Sequence, residues 1–110
     1  MVTQREVHEL AKSKGWYELQ QRVEDVLCDP ELIKHVRATW HMARLMLIVT
    51  EVAETAECVR VRDYQGEELA DISIRLKDYA ESLGVDLEAE ENAKHWKNST
   101  RPHKHGGKVL

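Results

Sequence analysis

The chain is predicted to be all-α, an antiparallel bundle of four to five helices, either one domain by itself or one subunit of something larger. Three observations predict it. Only two prolines and five glycines interrupt the 110 residues, and phenylalanine is absent; with its many Glu, Ala, Leu, Lys and Arg residues, this composition suits helices rather than strands. Apolar residues recur at intervals of three and four, as in Trp16, Leu19, Val23 and Val26, which puts them on one helical face. A chain of this size buries only a modest core alone, and association of helical subunits is the usual remedy.

Residues from Val2 to about Leu27 form the first helical region, with Gly15 as its candidate break. Asp29 caps the next helix, and Pro30 takes the first position, where a missing N–H is no loss. That helix runs to about Arg60, a length that favours a bundle. Arg62-Asp63-Tyr64-Gln65-Gly66 reads as a turn, and Glu67 to Leu83 as a helix ended by Gly84. Asp86 caps a last helix from Leu87 to about Thr100, which must stop before Pro102. Residues 1–102 thus form one helical domain, and 103–110 a basic, glycine-containing tail.

The net charge of -4 conceals an asymmetry. From Lys94 to Leu110 there are five Lys or Arg and no acid, which leaves 11 bases against 20 acids, a charge of -9, over residues 1–93. A basic end on an acidic body suits phosphates, either of nucleic acid or of a small ligand. Cys28 and Cys58 have no C-x-x-C or Cys/His zinc spacing and read as reduced core thiols. The first residues lack an apolar leader core, and no apolar run approaches a bilayer span, so a cytoplasmic location with no membrane partner is expected.

Two acidic couplets carry the chemistry. Glu51 and Glu54 follow the apolar run Leu45-Met46-Leu47-Ile48-Val49-Thr50, and Glu68 and Asp71 open the apolar-periodic stretch Leu69 to Tyr79. Residues three apart share a helix face, so each couplet aims two carboxylates at one point. Antiparallel helices joined by the short turn would bring the couplets face to face. Four converging carboxylates repel unless a cation neutralises them, and a hard, oxygen-seeking ion such as magnesium is suited to that. E-x-x-E alone is weak, since Glu6/Glu9, Glu54/Glu57 and Glu88/Glu91 repeat it. The bland alternative is a set of solvated helix faces paired with Arg44, Arg60 and Arg75.

Other chemistries are excluded by pattern. Neither G-x-x-x-x-G-K-[ST] nor G-x-G-x-x-G occurs, no Glu has a His three residues later as a ferritin-like di-iron site requires, and H-E-x-x-H is missing. Lys94, Asn98 and Arg101 fall at i, i+4 and i+7, one stripe of the last helix suited to polyphosphate oxygens. Trp16, Tyr17, Trp40 and Tyr79 are aromatic groups able to stack on a base, though such residues at helical spacing are more often core.

Thr50-Glu51-Val52-Ala53-Glu54-Thr55-Ala56-Glu57, then Glu68-Leu69-Ala70-Asp71-Ile72-Ser73-Ile74-Arg75, then Lys94 through Asn98 to Lys108 resemble the all-α nucleoside triphosphate pyrophosphohydrolases, specifically their MazG-like branch. The resemblance covers most of the chain from Leu45 onward. It implies a dimeric or tetrameric helical bundle that binds magnesium, or manganese in its place, through Glu51, Glu54, Glu68 and Asp71. It further implies cleavage of a nucleoside or deoxynucleoside triphosphate to monophosphate and pyrophosphate, as in nucleotide-pool housecleaning. Glu54, central in the row Glu51-Glu54-Glu57, would be the catalytic base. Lys94, Asn98 and Arg101 would bind substrate phosphates, and Trp16, Trp40 and Tyr79 are candidate base contacts. The segment between couplets, Thr55 to Glu67, is short for the family, and the first 44 residues match it only loosely. Alternatives are a non-catalytic helical interaction module, a phosphoribosyl-ATP pyrophosphohydrolase-like enzyme, and a nucleic-acid binder acting through the basic tail, which the acidic body disfavours.

Overall fold

The computed structural model describes residues 1–110, and they contain helices and no strand. The helices are α1 (Gln4–Ser13), α2 (Glu18–Val26), α3 (Pro30–Val61), α4 (Gly66–Ser82), α5 (Leu87–Ser99) and α6 (Lys104–Gly107). The count exceeds the four continuous helical segments read from the sequence by two, for two local reasons. The first helical region is two helices, because Gly15 sits at φ +88° and its neighbours cannot continue α1 through it. The tail also makes one turn, α6, in which Lys104, His105, Gly106 and Gly107 all have positive φ, a left-handed turn that the two glycines ease.

The expected caps form. Asp29 accepts from the Glu31 N–H at 2.8 Å and Asp86 from the Ala89 N–H at 3.0 Å. Thr3 and Glu6 close a capping box on α1. α3 ends on Arg62 in the left-handed region, φ 56°, and the chain reverses over 62–65 into α4.

Three helices make the packed part of the molecule: α1 and α3 both lie against α4, while α2 folds back on the start of α3. Gln4 ties the α4–α5 corner to α1. Its amide nitrogen donates to Glu81 at 2.8 Å and to the Val85 carbonyl at 2.5 Å, and its oxygen accepts from the Leu87 N–H at 3.2 Å. His8 of α1 lies 2.7 Å from Asp78 of α4, which also accepts from the Tyr17 hydroxyl at 2.8 Å.

The single chain has almost no interior. Val7, Ala80 and Glu51 are the buried residues. The expected core thiols are not in a core, since Cys28 is exposed and Cys58 half-buried; likewise Trp16, Leu19 and Val26 of the expected apolar face are exposed. The accessible surface is 8994 Å², against about 6300 Å² for a compact monomer of this mass. The radius of gyration is 17.6 Å, against about 13 Å for a compact chain of this length. α3 explains much of the difference. Its 32 residues extend about 48 Å, and it is apolar on two opposite faces. One face meets α4; the other exposes Met42, Leu45, Met46, Val49, Val52 and Val59. No helix of the molecule is long and apolar enough to cross a membrane.

Candidate metal and phosphate site

Glu51 and Glu54 stand one turn apart on α3, and Glu68 and Asp71 one turn apart in the first half of α4. The α3–α4 hairpin brings the couplets together, as the electrostatics of Glu54 record. Its carboxyl is raised above the ordinary value, first by the charge of Glu51, then by partial desolvation and a hydrogen bond shared with Glu51, and further by the charges of Asp71 and Glu68. Glu68 also raises the Cys58 thiol, after burial, the main cause. Excess negative charge is therefore concentrated at one place, as two facing E-x-x-[ED] couplets require.

The four acids are not equivalent. Glu51 is buried and receives the Arg75 Nε–H at 2.5 Å, with 10 % of the Glu51 side chain and 34 % of the Arg75 side chain exposed. Glu54 is exposed, and Glu68 and Asp71 are intermediate. One carboxylate is thus fixed by an arginine one turn beyond Asp71, while Glu54 is the freest. No three His, Cys, Asp or Glu side chains close around a single point as a metal cage would. The donor set is nonetheless all carboxylate oxygen, the kind a hard divalent cation prefers, and its unbalanced charge fits such an ion.

Of the arginines in the solvated-face alternative, Arg75 pairs with Glu51 and Arg60 with Glu57 at 2.9 Å. Arg44 pairs with no carboxylate. Its guanidinium carbon sits 4.0 Å from the centroid of the Tyr17 ring and 5.7 Å from that of Trp40.

Lys94 and Asn98 lie on α5, with Arg101 just beyond its end, and all three are exposed. None of the chain's ion pairs joins them to the four acids; Arg101 instead contacts His105 at 2.7 Å. α5 touches the rest of the chain mainly along the end of α4 and buries no residue. Within one chain, the basic stripe and the acidic cluster are therefore not assembled.

A cavity of about 680 Å³ opens between α1, α3 and α4, bordered by Glu51 and Asp71 near one end and by Trp16 and Trp40 at the other. Tyr79 is not on its wall and packs edge-on to His41, ring centroids 5.8 Å apart. Sequence reasoning missed the stacking of Arg44 and the Tyr17–Asp78–His8 network. The i, i+4 spacing of Trp40 and Arg44 was the available signal for the first; the second links residues far apart in sequence and left none. No protein-family model, curated protein or solved structure matches the chain.

Proposed function

We propose that the chain is a magnesium-dependent nucleoside triphosphate pyrophosphohydrolase of the MazG-like kind, working as a homo-oligomer in the cytoplasm. The observation that carries the reading is the meeting of Glu51 and Glu54 with Glu68 and Asp71 across the α3–α4 hairpin, expressed in the raised Glu54 carboxyl. These four acids would hold magnesium, or manganese in its place. The ion supplies neutralisation of phosphate charge and acidification of a bound water.

The chain's own groups divide the remaining work. Glu54, exposed and with its carboxyl raised above the ordinary value by the neighbouring acids, is the group to take the proton of the attacking water. The water oxygen bonds to the α-phosphorus, the bond from that phosphorus to the bridging oxygen breaks, and pyrophosphate leaves with the electron pair. Arg75 holds Glu51 in a fixed orientation through Oε1, a role that partners of ligating carboxylates commonly have. Lys94, Asn98 and Arg101 would neutralise the leaving pyrophosphate. Since they stand apart from the acids of their own chain, a second copy is the natural source. The exposed apolar face of α3 and the excess accessible surface support self-association, because obligate interfaces remove area on that scale.

Product analysis tests the reading. Incubation with magnesium and each common or deoxynucleoside triphosphate is expected to yield monophosphate and pyrophosphate from at least one of them, and none with Glu54→Gln. Silence across the panel combined with no magnesium binding would favour a non-catalytic helical module.

A further inference from the structure

The cavity between α1, α3 and α4 has a polar group that the proposed reaction does not use. Along α3 its wall includes Trp40, Arg44, Leu47 and Glu51, spaced four, three and four residues apart and so on one helical face. From Trp40 to Glu51 is about 16 Å of helix axis, and the volume, about 680 Å³, is in the range of pockets for nucleotide-sized ligands. Arg44 stands two turns from Glu51, toward the aromatic end. Arg37, Arg60 and Arg75 hold carboxylates, whereas Arg44 enters none of the chain's ion pairs. Stacking on Tyr17 at 4.0 Å and beside Trp40 at 5.7 Å fixes the plane of its fork without using the N–H edge.

The acids nearest this end are already engaged. Asp78 is taken by His8 and Tyr17, and Glu6 by the Thr3 N–H. The cavity therefore offers fixed donors, with Arg44 foremost, beside aromatic walls. The geometry points to Arg44 as the base-reading residue of a nucleotide pocket, selecting rings that present two adjacent acceptors on one edge. Guanine does so with O6 and N7, and cytosine with O2 and N3; adenine sets a donor beside its N7, and a single guanidinium fork cannot satisfy that edge. This deepens the hydrolase reading and rests on it for taking the ligand to be a nucleotide whose phosphates lie toward Glu51.

Binding without metal and without turnover tests it on the intact chain. Quenching of tryptophan fluorescence is followed on addition of GMP, CMP, AMP, UMP or inorganic phosphate. GMP and CMP are expected to bind about tenfold or more tightly than AMP and UMP, as one bidentate pair allows, and inorganic phosphate is expected not to displace them. Arg44→Ala should erase the difference, and Arg44→Lys, which keeps charge and stem, should erase it too because the fork is lost. Equal binding of all four, a preference that survives Arg44→Lys, displacement by phosphate, or no binding of GMP and CMP at millimolar concentration would each overturn it. A retained base preference in a protein that hydrolyses no triphosphate would remove the hydrolase reading alone. Hydrolysis without base preference would remove the Arg44 inference alone.

Discussion

The α1–α3–α4 corner and the α5–α6 end of the molecule are held together in different ways. In the corner, side chains from distant parts of the sequence meet: Gln4 caps the start of α5 through Leu87, Asp78 is shared by His8 and Tyr17, and Glu51 is locked by Arg75. Beyond Ala89, no side chain has a hydrogen-bond or ion-pair partner outside its own neighbourhood in sequence; Arg101 reaches only His105, and Trp96 is 71 % exposed. The acidic couplets lie on the two packed helices α3 and α4, and the basic end stands apart from them. The difference teaches that the corner is fixed by side-chain contacts between distant parts of the sequence, Arg75 on Glu51 among them, whereas the side-chain contacts of the basic end are local.

Substitutions that break or sharpen this contrast differ in expected size. The largest effect is at Glu54, where Gln removes the proton acceptor but no packing, so turnover should fall by about three orders of magnitude while the melting temperature is kept or rises as like charges are relieved. Steady-state rates beside a thermal melt separate the two. Next is Arg101→Ala, expected to lower kcat/KM by about 10- to 100-fold through one lost charge-assisted contact with no change in stability. Mixing that variant with Glu54→Gln is the sharper form. If the basic end of one copy serves the acids of another, mixed dimers regain one intact site each, about a quarter of wild-type sites after random exchange; no recovery would place both groups in a single chain.

Arg75→Ala strikes the corner itself. Breaking a buried pair costs about 3–5 kcal/mol, and the 34 % exposure of the Arg75 side chain reduces this to about 2 kcal/mol, readable by urea unfolding. Tyr17→Phe is milder, about 1 kcal/mol for one hydrogen bond to Asp78. Its pH dependence follows from the hydroxyl, pushed up to about 12 by burial and then by its bond to Asp78. Because the folded value lies above the ordinary 10.0, the contribution is complete below that pH and is lost as pH rises toward 12. The wild type should lose stability over that alkaline interval more steeply than the variant, as thermal melts across it will show.

Much of this was legible in the sequence because it depends on local rules. Asp29-Pro30, Asp86 and the 62–66 turn announced helix boundaries through capping and backbone geometry, and the short connection announced that α3 and α4, the helices carrying the two couplets, pack together. The division of the first helix was half legible, with Gly15 marked as a break whose effect depended on packing. What the sequence hid was exposure. Leu19, Val26 and Cys28 have core-type side chains, yet they lie at the surface of this single chain, and periodicity identifies an apolar face without naming what covers it. Spacing pointed Arg44 toward Trp40 but not toward Tyr17, its nearer ring, which arrives from the start of α2.

The most direct test of the central claim is hydrolysis in ¹⁸O-labelled water with magnesium and a triphosphate that the protein cleaves, followed by mass spectrometry of both products. Attack at the α-phosphorus predicts the label in the monophosphate alone. Label in the pyrophosphate, or release of single phosphate in its place, would contradict the account.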